Sequence, residues 1–259
     1  MQKSLIWIIA AMVIVLIALY AFTRPPAPPQ PNNQTMEQSS PVQVTPISHA
    51  TAVLTWDDTV IYTDPTGGAA AFAGQPAADI IVVTDIHGDH LSTSTLEAIT
   101  GDAVLIVPQA VEDLLPDTLA ARAKVLANGA TLTEQGFAFQ GIPMYNLPET
   151  ADSRHTKGRG NGYVIEKDGY RVYVAGDTAG TPEMRALTDI DIAFIPMNLP
   201  FTMGVDEAAS AVLDFKPKKV YPYHYRGQDG LADVNTFKEL VNTGDSTIEV
   251  VLVNWYPAQ

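Results

Sequence analysis

The stretch that decides the fold is IIVVTDIHGDHL, from Ile80 to Leu91. Its first four residues are β-branched, which is typical of a strand buried on both faces, and Thr84 ends that run. Four side chains able to bind metal follow within six residues: Asp85, His87, Asp89 and His90. A tight loop at the end of a buried strand can direct such side chains to one or two cations. An acidic turn with two solvated histidines is the alternative that this stretch alone leaves open.

Further candidate ligands lie later in the chain. Asp177 follows the apolar segment 172–175, and His224 follows the apolar segment 220–223. Because ligands gather at the carboxyl ends of strands, both positions suit a site. A turn cap at Asp177, a core histidine at His224 and a surface histidine at His155 are the ordinary alternatives. We expect His49, which precedes a predicted strand, to support the site rather than to bind metal.

These motifs resemble those of the metallo-β-lactamase superfamily. The loop is similar to its H-x-H-x-D-H signature, with Asp85 at the position of the first histidine. The later landmarks follow in order as His155, Asp177 in VAGDT and His224 after KKVYPY, and an upstream one spans 49–65. The segment IPMNLPFTMGVDEAASAV, 195–212, is similar to the lactonase-like branch that includes ascorbate-6-phosphate lactonases. The resemblance covers residues 45–256.

The resemblance implies an α/β fold, a four-layer αββα sandwich, and a metal-dependent hydrolase. It implies a first ligand group of Asp85, His87 and His155. It implies a second group of Asp89, His90 and His224, with Asp177 as the bridge. Two zinc ions are the first choice, with manganese or iron as alternatives. Asp89 and Asp177 would also be catalytic, and a metal-bound hydroxide would cleave a small ester, lactone or phosphodiester.

Asp85 is the departure from the family pattern. A carboxylate in place of a neutral imidazole adds one negative charge, so the centre should be a weaker Lewis acid. The oxygen ligand also shifts metal preference from zinc toward manganese or iron. Asp85→His is therefore expected to raise activity or zinc occupancy at the first group. The alternative function is a metal-binding module with little or no hydrolysis.

Three arginines flank the candidate ligands in sequence. Arg154, Arg159 and Arg226 could hold a carboxylate or phosphate of a small-molecule substrate. Equally, they could be solvated loop residues that pair with the surplus of acidic groups.

Composition limits the partners. The chain has 259 residues and a formal net charge of -14, from 29 acidic and 15 basic residues. Nucleic acid is not an expected partner, because phosphate neutralisation needs clustered Lys and Arg. There is no cysteine, which excludes disulfides and thiolate ligands. The sequence identifies no protein partner.

The N-terminal segment predicts membrane attachment. Residues 5–22 are apolar and uncharged, and as a helix they would span about 27 Å. We predict a transmembrane anchor, or a signal segment, over residues 1–23, a Pro-rich linker over 24–44 and the hydrolase domain over 45–259. Lys3 before the apolar run favours a membrane-anchored protein whose hydrolase domain lies outside the cytoplasm. Secretion after signal cleavage is the alternative.

The hydrolase domain is predicted to alternate strands and helices. A hairpin of residues 52–56 and 59–63 opens it. A helix is predicted over 109–123, with Pro116 interrupting it, and a strand over 248–255 ends the domain.

Overall fold

The computed structural model describes residues 40–150 and 152–256. The predicted membrane segment, 1–23, and residues 24–39 of the predicted linker lie outside this part of the chain. Within it, each helix is too short or too polar to cross a bilayer.

Six strands form the first sheet in chain order. They are β1 (Val42–Ser48), β2 (Thr51–Trp56), β3 (Thr59–Thr63), β4 (Ile80–Val82), β5 (Val104–Val107) and β6 (Ala123–Val125). Pairing is antiparallel from β1 to β3 and parallel from β3 to β6. The sheet is therefore mixed, and the carboxyl ends of β3 and β4 lie at the same edge.

Seven strands form the second sheet. They are β7 (Thr131–Glu134), β8 (Phe137–Met144), β9 (Gly160–Lys167), β10 (Tyr170–Val174), β11 (Ile192–Pro196), β12 (Lys219–Tyr223) and, at the far side, β15 (Glu249–Val250). Their order is β15-β12-β11-β10-β9-β8-β7, parallel from β15 to β10 and antiparallel from β10 to β7. In the sequence between β12 and β15, two short strands pair with each other as a separate sheet. They are β13 (Arg226–Gly227) and β14 (Gly230–Leu231).

The helices connect these strands. They are α1 (Thr93–Ile99), α2 (Gln109–Glu112), α3 (Asp117–Ala120), α4 (Pro182–Arg185), α5 (Val205–Phe215) and α6 (Val234–Gly244), with a 3₁₀ turn at Ala69–Phe72. Ser92 begins α1 by accepting a hydrogen bond from the Thr95 amide, and Thr181 begins α4 in the same way through Met184.

Alternating side chains separate the two faces of the first sheet. Leu54 and Trp56 point to the second sheet, where the Trp56 ring meets Phe137 at 5.1 Å. Val53 points the other way and belongs to a cluster that contains Leu96 of α1. On the second sheet, Tyr173 meets Phe215 of α5. Helices therefore cover both sheets, and the predicted α/β sandwich is confirmed.

The structure corrects three predicted boundaries. Residues 42–44, assigned to the linker, belong to β1, because Val42 pairs with Trp56 and Val44 with Leu54 of β2. The helix predicted over 109–123 is wrong as a single element: α2 ends at Glu112, α3 begins after Pro116, and Ala123 belongs to β6. Of the strand predicted over 248–255, only β15 pairs.

Candidate metal centre

The candidate ligands meet at the edge where strands of both sheets end. The loop after β4 supplies Asp85, His87, Asp89 and His90, while Asp177 follows β10 and His224 follows β12. Their ligating atoms form two groups, each with all of its atoms within 4.8 Å of one another. The first group is Asp85, His87 and His155; the second is Asp89, His90, Asp177 and His224.

Nitrogen atoms face each other across each group. In the second group, Nε2 of His90 lies 3.1 Å from Nε2 of His224. In the first group, Nε2 of His155 lies 3.2 Å from Nδ1 of His87. Asp89 Oδ2 lies 3.3 Å from His224 Nε2. All these atoms are close enough to share one cation per group.

Asp177 lies between the two groups. Its Oδ1 is 3.3 Å from Nε2 of both His90 and His224, and its Oδ2 is 3.1 Å from Nε2 of His155. One carboxylate oxygen therefore faces each group, as a bridging ligand requires.

Two glycines allow the strand ends to approach closely. Gly176, just before Asp177, has a φ of 67°, and a Cβ there would meet Thr84 Cβ at 3.0 Å. A Cβ on Gly160 would lie 2.7 Å from the Thr84 carbonyl oxygen. Because these positions carry no side chain, the start of β9 and the segment after β10 can approach the end of β4.

Hydrogen-bond acceptors orient two of the histidines. Asp64 accepts hydrogen bonds from the Thr84 amide and hydroxyl, both at 2.7 Å, and its Oδ2 lies 2.8 Å from Nδ1 of His90. The side-chain oxygen of Asn146 lies 3.2 Å from Nδ1 of His155. If each Nδ1 donates to its acceptor, each Nε2 presents a lone pair to the site.

The donor set fits metal ions. In the second group, facing lone pairs at 3.1 Å repel each other unless a cation or a proton lies between them. Among the described residues, buried Asp177 Oδ1 has no hydrogen-bond partner. Four imidazoles and three carboxylates suit zinc, manganese or iron.

Opposite charges perturb the acid–base groups of the second group. Burial alone would raise the pKa of Asp177, but the positive charges of His224 and His90 hold it well below its ordinary value. Burial would lower the pKa of His90, yet the carboxylates of Asp177 and Asp64 raise it well above 6.5. In the metal-free protein, His90 therefore carries a proton that a metal ion must displace when it binds.

Asp85 has a cationic partner. Arg159 donates from Nε to Oδ1 at 3.0 Å and from Nη2 to Oδ2 at 2.9 Å, a two-pronged ion pair. Burial raises the pKa of Asp85, but the hydrogen bond from His87 and the charges of His90 and Arg159 lower it to about 2.

The three arginines have partners within the protein. The Arg159 guanidinium donates to Asp85 and to the Arg154 carbonyl, and its role in substrate binding stays a prediction. Arg154 stacks on Phe201 at 4.7 Å and Arg226 on Tyr256 at 4.3 Å. For these two arginines, substrate binding also stays a prediction.

His49 lies beside the second group. Its Nε2 is 3.3 Å from Asp89 Oδ2, its Nδ1 is 2.6 Å from the Tyr256 hydroxyl, and its ring lies 3.7 Å from that of His224. These contacts are those of a residue that orients ligands.

The family follows from a match over most of the chain. A family model described as a beta-lactamase superfamily domain matches residues 43–224. The chain belongs to the metallo-β-lactamase superfamily. The lactonase-like branch is a finer assignment that this match does not make.

Relatives within the superfamily are named as hydrolases. A UPF0173 metal-dependent hydrolase of Thermococcus onnurineus is 33% identical over 189 residues, 71% of this chain and 83% of the relative. One from Thermus thermophilus is 31% identical over 211 residues, 79% and 89% of the two chains. Together with the family, they support assignment of the chain as a metal-dependent hydrolase.

Solved structures agree with the fold. A protein from Parabacteroides distasonis, proposed to be a metal-dependent hydrolase, is 38% identical with a TM-score of 0.71, covering 82% of this chain and 92% of that one. Igni18, a metallo hydrolase from Ignicoccus hospitalis, has a TM-score of 0.69 at 23% identity over 82% and 95% of the chains. The latter similarity shows the fold alone.

Several residues of the centre were not predicted from the sequence. Asp64 carries a weak signal, since an acidic residue ending the strand next to the ligand strand is placed to reach the ligands. Asn146 and Tyr256 carry none, because each reaches its histidine only through the tertiary fold.

Proposed function

We propose that this metallo-β-lactamase superfamily member is a dinuclear hydrolase that cleaves a small ester, lactone or phosphodiester. The observation that carries the proposal is the position of Asp177, with one carboxylate oxygen toward each histidine group. A carboxylate placed between two sets of imidazoles suits two ions better than one.

The residues of the centre have different proposed roles. Asp85, His87 and His155 would hold one ion, and Asp89, His90 and His224 the other, with Asp177 common to both. When bound, the ions would lower the pKa of a water molecule and polarise the bond to be cleaved. Asp89, whose side chain is 43% exposed, would accept a hydrogen bond from an attacking water at its carboxylate and orient that water. Asp64 and Asn146 keep the histidine Nε2 atoms directed to the ions.

Zinc is the proposed metal, because imidazole nitrogens provide four of the seven candidate ligands. Manganese and iron are the alternatives, since three carboxylates supply harder oxygen ligands.

A neighbouring cavity supports a substrate with an apolar part. The cavity measures about 290 Å³, and its described lining is apolar apart from Asp229. Met197, which lines the cavity, directly follows β11, and β11 pairs with β12, the strand that His224 follows. An ester or lactone with a small apolar group fits this lining better than a highly charged substrate. The lactonase-like branch stays part of the proposal on the sequence similarity of residues 195–212 alone.

We also propose that residues 1–23 anchor the enzyme in a membrane with its hydrolase domain outside the cytoplasm. The apolar sequence supports an anchor. Two reporters fused after Gln259 test this orientation. We expect activity from a reporter that works only outside the cytoplasm. Activity from a reporter that works only in the cytoplasm would show the opposite orientation.

A second candidate function is a metal-binding module with little hydrolysis. The ion pair of Asp85 with Arg159 favours it, because a ligand position already held by a guanidinium could leave one group empty.

Hydrolysis of a substrate panel tests the proposal. The purified full chain would be assayed on lactones, carboxylic esters and phosphodiesters, with and without a chelator, beside Asp177→Asn. We expect turnover that the chelator abolishes and that falls at least about 100-fold in the variant, since even supporting residues cost 10 to 100-fold. Turnover that survives both changes would contradict it.

A further inference from the structure

The contact between Asp85 and Arg159 is built into the fold. Asp85 is fully buried and the Arg159 side chain is 18% exposed. Arg159 directly precedes β9, whose start is fixed by a 2.9 Å hydrogen bond from the Asn161 amide to the Thr84 carbonyl. Because Thr84 directly precedes Asp85, the backbone itself brings the two side chains together.

The two ligand groups therefore differ in charge. The second group contains the carboxylates of Asp89 and Asp177, and neither pairs with a lysine or arginine within the described residues. The first group has one carboxylate of its own, that of Asp85, and Arg159 neutralises it. An ion entering the first group must compete with the guanidinium for the same oxygens and lie close to its positive charge.

We propose that Arg159 is a positioning residue that makes the first group the weaker metal position, so that the second group fills first. The inference rests on the proposed function, in which both groups hold metal. Arg159 and Asp85 act together as a neutral unit at the place where the family pattern has an imidazole.

This inference revises the expected effect of changing Asp85. In Asp85→His, Arg159 keeps its charge next to the first group and loses its partner, so the single substitution should not improve metal binding. In Asp85→His combined with Arg159→Met, no such charge remains, and binding should improve. The two changes should therefore be non-additive.

Calorimetric titration of the metal-free full chain with Zn²⁺ tests the inference. The wild type should bind two ions in two separate steps. Arg159→Met should tighten the weaker step at least tenfold and leave the tighter step unchanged. Arg159→Lys, which keeps the charge, should keep the weaker step weak. Arg154→Met is the matched control, because that arginine stacks on Phe201 and should leave both steps unchanged.

Other outcomes would overturn the inference. Two ions bound with indistinguishable affinity, or a weaker step that Arg159→Met leaves unchanged or weakens, would overturn it and leave the proposed function standing. Binding of no ion would overturn both. Melting temperatures of the metal-free variants give an independent check of folding, and we expect Arg159→Met to melt below the wild type because buried Asp85 loses its counter-ion.

Discussion

Single residues in this centre determine which nitrogen of a histidine ring directs its lone pair toward the metal position. His90 donates one ring N–H to Asp64 and can present Nε2 to a metal ion, so Asp64 determines what His90 can bind. The same holds for Asn146 and His155. Residues that never touch the ion thus decide how well it is held.

Asp64→Asn tests this dependence. The neutral amide is a weaker acceptor for the His90 N–H, so metal affinity at the second group should fall by about 10 to 100-fold. Asp79→Asn is the control, because Asp79 accepts a hydrogen bond from the Val60 amide and, within the described part of the chain, hydrogen-bonds no histidine. Calorimetry on the two variants would compare them, and equal affinities would contradict the role of Asp64.

The acid–base groups of the centre predict that protein stability depends on pH in opposite directions with and without metal. Because the pKa of His90 is raised, its stabilising charge is present below 6.5 and is lost as pH rises through the raised value. Because the pKa of Asp177 is lowered, its contribution is present above 3.8 and is lost as pH falls. Both contributions are complete between pH 3.8 and pH 6.5, so the metal-free protein should be most stable in this range.

Metal reverses the trend above pH 6.5, because protons compete with the ion for the same nitrogens. Melting temperatures measured across this range should fall with pH when a chelator is present, while the gap between the metal-loaded and metal-free protein widens. A metal-free protein that becomes more stable as pH rises would contradict the charge arrangement of the centre.

At the scale of elements, the centre depends on how closely strand ends approach. Gly160 lies where β9 meets the end of β4, and a Cβ there would lie 2.7 Å from the Thr84 carbonyl oxygen and would also overlap Met144. The oxygen belongs to the backbone, so it cannot rotate away.

Gly160→Ala should lower the free energy of unfolding by about 1 to 3 kcal/mol, the usual cost of overpacking. Gly88→Ala is the control within the metal loop, since a Cβ there meets nothing within 4 Å. Chemical denaturation of both variants measures the effect. Equal stabilities would mean that the strands can separate at little cost.

Local patterns predicted the elements that local interactions define. The strand at the apolar segment 220–223 and the hairpin of residues 52–56 and 59–63 follow from apolar runs and a two-residue turn, and the structure has them. The edge strand β1 was assigned in part to the linker, because Pro41 before it and Pro46 within it are typical of a linker, and its strand character depends on pairing with β2.

The same distinction applies to the site. The ligand loop is local and was recognised from its own residues. The partner of Arg159 was not, because it lies 74 positions away in sequence and depends on the approach of β9 to β4. Pairings of this kind become visible only once the strand order is known.

At the scale of the whole molecule, residues from Ser40 onward form a separate compact unit. A chain beginning at Ser40 should therefore keep the melting temperature and the metal content of the full chain. A chain beginning at Thr51, which lacks β1, is the matched comparison and should melt lower, because β1 covers the edge of β2. Equal melting of the full chain and the Thr51 form would contradict the assignment of β1 to the sheet.

The central claim is that two ions flank Asp177, and anomalous X-ray diffraction from crystals of the metal-loaded protein tests it most directly. We expect two anomalous peaks, one contacting His87 and His155 and the other contacting His90 and His224, with Asp177 touching both. A single peak, or peaks that contact none of these histidines, would contradict the claim.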